Sequence, residues 1–168
     1  MADRVTAAAS LLGTLLVASG RTLAVAESCT GGLLAGAITS IPGSSRYFTG
    51  GVVAYRNSAK VSLLRVPPDL IASNGAVSRE VALAMADGAL SRFRADLALA
   101  ATGVAGPGGG SRGKPVGTVW VAAVARGGVR YAHRFRFHGG RETVRRETVL
   151  VSFDAAISIL RAGPGEKG

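Results

Sequence analysis

The 168-residue sequence predicts an α/β protein: a single-domain, layered α/β/α sandwich with a mixed sheet. Three observations predict it. Short apolar runs alternate with longer segments of helical period, the pattern of strands covered by helices. The last two strand-like runs follow one another directly, so a hairpin closes a sheet otherwise built through crossovers. Finally, 48% hydrophobic content with few aromatics and 24 glycines describes a compact core of Ala, Val and Leu. No internal repeat or interior linker divides the chain, so residues 1–162 read as one domain and 163–168 as a disordered tail.

In chain order, residues 3–19 form an amphipathic helix, with Val5, Ala8, Leu12, Leu15 and Leu16 at helical spacing. One basic residue before an apolar stretch superficially resembles a secretory signal, but the interruptions at Ser10, Gly13 and Thr14 favour the helix. "TLAVA" (22–26) is a short apolar strand, followed by a helix over 31–40. Pro42 and Gly43 punctuate a loop over 40–50, "GVVAY" (51–55) is a strand, and 57–66 is a helix ended by Pro67 and Pro68. Ser78 is placed to cap the next helix, with Glu80 in its first turn and Val81, Met85, Ala89 and Phe93 on one face. "DLALAAT" (96–102) reads as a buried central strand. A glycine-rich loop (103–117) leads into strand 118–124. In 129–137, Val129, Tyr131, His133, Phe135 and Phe137 alternate with Arg130, Ala132, Arg134 and Arg136, giving a half-buried strand with a basic outer face. A last helix, 141–160, buries Val144, Val151, Ala155 and Ile159.

The net charge is +10, and residues 101–168 carry most of it: eleven basic and four acidic side chains, against nine and six over residues 1–100. Such a balance suits nucleic acid, a membrane surface, a phosphorylated small molecule, or plain solubility. The single cysteine, Cys29, allows no disulfide framework or thiolate zinc cluster within the chain. His133 and His138 have no metal-ligand spacing around them, so no metal site is expected.

The loop 103–117 fits three phosphate or nucleophile patterns, and each fails on context. Gly108 to Lys114 fits G-x-x-x-x-G-K, but Pro115 stands where a hydroxyl should bind magnesium, and a strand follows instead of a helix. Gly108, Gly110 and Gly113 fit G-x-G-x-x-G and fail for the same topological reason. Ser111 to Lys114 fits S-x-x-K, whose serine belongs at a helix start, which this segment cannot form.

"AESCTGG" (26–32) is the more informative stretch. It places Glu27, Ser28, Cys29 and Thr30 where a strand becomes a helix, beside Gly31 and Gly32. Unpaired N–H groups there suit an anion or a developing oxyanion; Ser28 or Thr30 as a simple helix cap accounts for the sequence equally well. Cys29 is a rival nucleophile without a histidine partner. A serine nucleophile needs a base, and neither histidine has the context of a triad. Of three lysines, Lys60 alone is embedded in apolar sequence, and Tyr55 lies five residues before it. Burial would lower the lysine pKa towards the range of a general base; a snorkelling surface lysine is the alternative.

Four long stretches in order, "AESCTGG", "IPGSSRYFTGGVVAYRNSAK", "NGAVSREVALAMA" and "ATGVAGPGGGSRGKPVGTVW", with "FHGGRETVRRETV" at the end, closely resemble the CinA C-terminal domain, the nicotinamide-nucleotide amidohydrolase family, over about residues 5 to 160. The resemblance implies a stand-alone amidohydrolase that converts nicotinamide mononucleotide to nicotinate mononucleotide and ammonia without a cofactor or metal. It implies Ser28 and Lys60 as the catalytic pair with Tyr55 nearby. Substrate contacts are expected from Glu27, Thr30, Gly31, Gly32, Ser44, Thr102, Gly103, Gly106 and Arg141. Ser44 and Ser45 are the fallback nucleophiles. The oxyanion donors are expected around Thr30–Gly32 or the Thr102–Gly103 corner. Three positions, Ser58, Gly113 and Gly140, stand where the family commonly has an acid.

The partner expected is thus a nucleotide-sized small molecule, in a cytoplasmic homo-oligomer with no nucleic acid or membrane bound. The competing reading is a competence-associated accessory protein that binds nucleic acid through its Arg130–Arg146 face without catalysis. A third is a fold-preserving but inactive homologue.

Overall fold

Strand β1 (Leu23–Glu27) is buried at every position and organises the molecule. The computed structural model describes residues 2–162, and the tail expected over 163–168 lies outside the described residues. After β1, in chain order, come α2 (Leu33–Thr39), β2 (Phe48–Val53), α3 (Asn57–Leu64), α4 (Pro68–Asn74), α5 (Arg79–Phe93), β3 (Leu97–Gly103), β4 (Thr118–Ala125), β5 (Arg130–Arg136) and α6 (Arg141–Ala162). Helix α1 (Ala2–Ser19) precedes it. The five strands form one sheet in the order β2-β1-β3-β4-β5; β2, β1 and β3 are parallel, and β4 and β5 are antiparallel additions. This is the mixed α/β sandwich that the sequence predicts.

Successive side chains of β1 and β3 are shared between two helical layers, which is why both strands read as unbroken apolar runs. Leu23, Val25, Leu97 and Leu99 pack with Leu12 and Leu16 of α1, Leu34 and Ile38 of α2, and Phe153 of α6. Ala24, Ala26, Ala98 and Ala100 meet Val81, Ala82, Met85, Ala86 and Ala89 of α5. The alanines on both surfaces bring α5 close to the sheet. The N-terminal apolar stretch is therefore a packed helix, and no helix among the described residues is long and apolar enough to cross a membrane.

Ser78 caps α5 as expected, its Oγ accepting from Val81 N at 3.3 Å. Three expectations change. Strand β2 begins at Phe48, three residues before the expected start, and a 3-10 turn (Ser44–Arg46) occupies part of the loop before it. Helix α4 was not expected: Pro68 starts it, since a first-turn proline gives up no hydrogen bond that a helix would have made, and Asp69 complements its dipole. On the edge strand β5, His133 is exposed rather than half-buried, stacked with Tyr131 at 6.4 Å and edge-on to Phe135 at 4.8 Å.

Helices α3 and α5 both end on an arginine in the left-handed conformation, Arg65 (φ 57°) and Arg94 (φ 51°). Glycine is the favoured residue there, because a Cβ costs about 1–2 kcal/mol in that region.

Candidate active site

Parallel strands β2, β1 and β3 deliver their C-terminal ends to one edge of the sheet. The chain leaves β1 towards β2 on one side and later returns to β3 on the other, so this edge is the switch point at which open α/β sheets form crevices. Ser28 follows β1 directly, its N–H bonded to Ala101 O at 3.0 Å, which sets it beside the Thr102–Gly103 end of β3. Ala54 and Tyr55 follow β2, and the first turn of α3 brings Lys60 back over them.

Lys60 is 1% exposed, the largest of the fully buried side chains. Its Nζ lies 3.2 Å from Ser28 Oγ, 3.0 Å from Ala54 O and 3.2 Å from Tyr55 O. Burial lowers its pKa from the ordinary 10.5, opposed only by the charge Cys29 would carry as a thiolate. Burial in turn pushes the Cys29 thiol up to about 12. Burial thus holds Cys29 as the thiol at neutral pH, which makes it a poor nucleophile. Protonated, the amine can donate to all three oxygens; neutral, it can donate two N–H groups to the carbonyls and keep a lone pair for the Ser28 hydroxyl.

The turn that carries Ser28 is held from beneath. Glu27 is fully buried, and its side-chain oxygens accept from Gly32 N (2.9 Å), Leu34 N (3.0 Å) and Ala35 N (2.9 Å). Gly31 (φ 58°) and Gly32 (φ 98°) make the left-handed bend that returns the chain over Glu27. Gly31 N donates to Ser28 O, so the N–H groups of Gly31 and Gly32 are engaged by the fold itself. Of the N–H groups expected there to face an oxyanion, that of Thr30 makes no backbone–backbone hydrogen bond among the described residues, and neither does that of Cys29 before it. Thr30 Oγ1 is buried without a partner.

Tyr55 is placed differently from the proton relay that its position suggests. Its carbonyl touches Lys60, while its exposed phenol accepts from Arg141 Nη2 at 3.0 Å. Arg141, in the first turn of α6, also donates through Nη1 to Gly106 O at 2.9 Å and so ties the glycine-rich loop to the site. Thr102 is buried, and its Oγ1 donates to Ala76 O at 2.9 Å. At Gly103 an added Cβ would lie 2.8 Å from the Thr118 carbonyl, so glycine there permits the tight β3–β4 approach.

Ser44 does not join this group. It precedes β2, whereas Lys60 sits beyond the other end of that six-residue strand, roughly 20 Å away. Ser45 shares its position, so the sheet separates the fallback nucleophiles from the buried amine. Conversely, Arg145 was missed. Its Nη2 donates to Thr30 O at 2.8 Å and clamps the turn from above, and its spacing of four from Arg141 on one helix was the available signal. Of the three positions that lack the family's acids, Ser58, Gly113 and Gly140 are all exposed.

Fold and site together define a layered α/β protein with a serine hydroxyl and a buried lysine amine side by side at the C-terminal edge of its parallel strands. More narrowly, the chain belongs to the CinA C-terminal domain family, which matches residues 5–160. A CinA-like protein of Desulfotalea psychrophila is 54% identical over 144 residues, which are 86% of this chain and 35% of the relative. One from Geotalea daltonii is 51% identical over 90% of this chain and 36% of its own length. The chain thus spans about a third of the curated relatives it matches. Among solved structures, the competence/damage inducible protein CihA from Agrobacterium tumefaciens superposes with a TM-score of 0.91 and 45% identity, over 94% of this chain and 96% of that one. The competence damage-inducible protein A of Klebsiella pneumoniae gives 0.91 and 35%, over 95% and 98%.

Proposed function

We propose that the protein hydrolyses the carboxamide of nicotinamide mononucleotide, releasing nicotinate mononucleotide and ammonia. The observation that carries this reading is the 3.2 Å contact between a fully buried lysine amine and the Ser28 hydroxyl. Neutral Lys60 takes the Ser28 proton as Oγ attacks the amide carbon. The tetrahedral oxygen is received by the Cys29 and Thr30 N–H groups. The carbon–nitrogen bond breaks, Lys60 returns the proton to the departing ammonia, and an ester to Ser28 remains. Water, deprotonated by the same amine, then hydrolyses the ester and restores the hydroxyl. Arg141, at the rim beside the Tyr55 phenol, suits the 5′-phosphate. The family membership and the resemblance of the "AESCTGG" and "VVAYRNSAK" stretches support the choice of substrate.

Ammonia release from the mononucleotide, its riboside and free nicotinamide tests the reading. Ser28→Ala is expected to abolish it on the mononucleotide while leaving the melting temperature unchanged. Full activity in that variant, or no ammonia from the native protein, refutes the scheme.

Tyr55→Phe separates a wall residue from a proton relay. Because the phenol touches Arg141 and not Lys60, kcat and its pH profile should be retained, with KM raised about three- to tenfold through the lost hydrogen bond. Loss of kcat with a displaced acid limb would return the phenol to the proton path.

A further inference from the structure

A cavity of about 790 Å³ opens between α3, α4, α5 and the start of β5, and none of Ser28, Tyr55, Lys60, Thr102 or Arg141 lines it. Its volume lies in the range of small-molecule sites. Leu63, Leu64, Pro67, Leu70, Leu83 and Ala84 supply an apolar floor. Around them stand five arginines, Arg65, Arg79, Arg92, Arg94 and Arg130, against two carboxylates, Glu80 and Asp87.

Two of the arginines are already engaged. Arg130 holds both oxygens of Asp87 at 2.7 Å, which neutralises that acid, and Arg92 Nη1 donates to Leu63 O at 3.1 Å. The guanidinium groups of Arg65, Arg79 and Arg94 have no partner among the described residues. Three unpaired guanidinium groups around one cavity match a ligand with adjacent anionic groups.

The backbone singles out two of the same residues. Arg65 and Arg94 are the non-glycine residues with left-handed φ among those described, whereas Gly20 takes the comparable position after α1. Both end helices at the rim of this cavity, and at both the chain tolerates a strained arginine where glycine would sit freely. Glycine at Gly88 lets α5 close on α3 beneath them, since an added Cβ would run into the Leu64 carbonyl.

We infer that this cavity is a second binding site, for a nucleoside di- or triphosphate. Arg65, Arg79 and Arg94 take the phosphate chain, and the leucine floor takes the base. A nucleic-acid strand fits less well: no aromatic side chain lines the cavity for stacking, and Glu80 stands among the arginines.

Titration calorimetry of the full chain with ATP, inorganic triphosphate and a single-stranded oligonucleotide tests this. ATP should bind, and bind more tightly than inorganic triphosphate, which lacks a base for the floor. The double variant Arg65→Gly/Arg94→Gly should bind ATP at least about tenfold more weakly. Its melting temperature should be unchanged or raised, because glycine relieves both left-handed turns. Lys60→Ala should bind ATP as the native chain does, whatever becomes of the amidase reaction. The inference is overturned if ATP does not bind the native chain, if binding survives in the double variant, if inorganic triphosphate binds as tightly as ATP, or if only the oligonucleotide binds.

Discussion

Lys60→Met is expected to reduce kcat for ammonia release at least about a thousandfold, within the range a general base supplies. Methionine fills much the same volume but can neither accept the Ser28 proton nor donate to the Ala54 and Tyr55 carbonyls. The pH profile of ammonia release by the native protein carries the same information. Burial lowers the Lys60 pKa, and only the neutral amine is a base, so kcat/KM should rise with pH through the lowered value and level off above it. Stability follows a linked course. Between the folded value and 10.5 the unfolded chain holds a proton at Lys60 that the folded chain lacks, so stability rises with pH across that window and is lost as pH falls through it. Lys60→Met should remove this contribution, seen as a flatter difference in melting temperature between pH 10.5 and neutrality. A variant with native kcat, or an enzyme whose rate falls as pH rises through that window, refutes the assignment of Lys60 as base.

Much of this was legible in the chain, for reasons that differ by element. The apolar runs of β1 and β3 announce strands because each is covered on both faces. The Ser78 cap and the α5 face follow from local hydrogen bonding and helical period. Lys60 stood out because its neighbours are apolar, and it is indeed buried. What stayed hidden is tertiary. No pattern in "AYRN" shows that the Ala54 and Tyr55 carbonyls turn inwards to receive an amine while the Tyr55 phenol turns out to Arg141. Ser44, expected as a substrate contact, lies before β2, and the full length of that strand separates it from Tyr55 and Lys60. The left-handed arginines are similarly silent in the sequence, since a helix end at Arg65 or Arg94 offers no glycine to mark it.

Glu27→Ala is expected to be the most destabilising single change near the site. Truncation leaves the Gly32, Leu34 and Ala35 N–H groups without their acceptor, around a side-chain position that is itself fully buried. Each buried orphan donor costs about 1–3 kcal/mol, but the turn can relax part of this, so a loss of about 3–5 kcal/mol is expected. That is a large share of the ~5–15 kcal/mol that holds a domain together, and corresponds to a melting-temperature drop of about 10 °C in a chain of this size. Glu27→Gln keeps one acceptor oxygen and turns an NH2 towards the remaining donors, so it should fall between the native chain and Glu27→Ala. Activity should decline with the same ordering, because the bend at Gly31 and Gly32 belongs to the same turn as Ser28 and the N–H groups proposed to receive the tetrahedral oxygen. Thermal unfolding of both variants beside the native chain measures the effect. A Glu27→Ala protein that melts with the native one would show that the turn stands without its carboxylate.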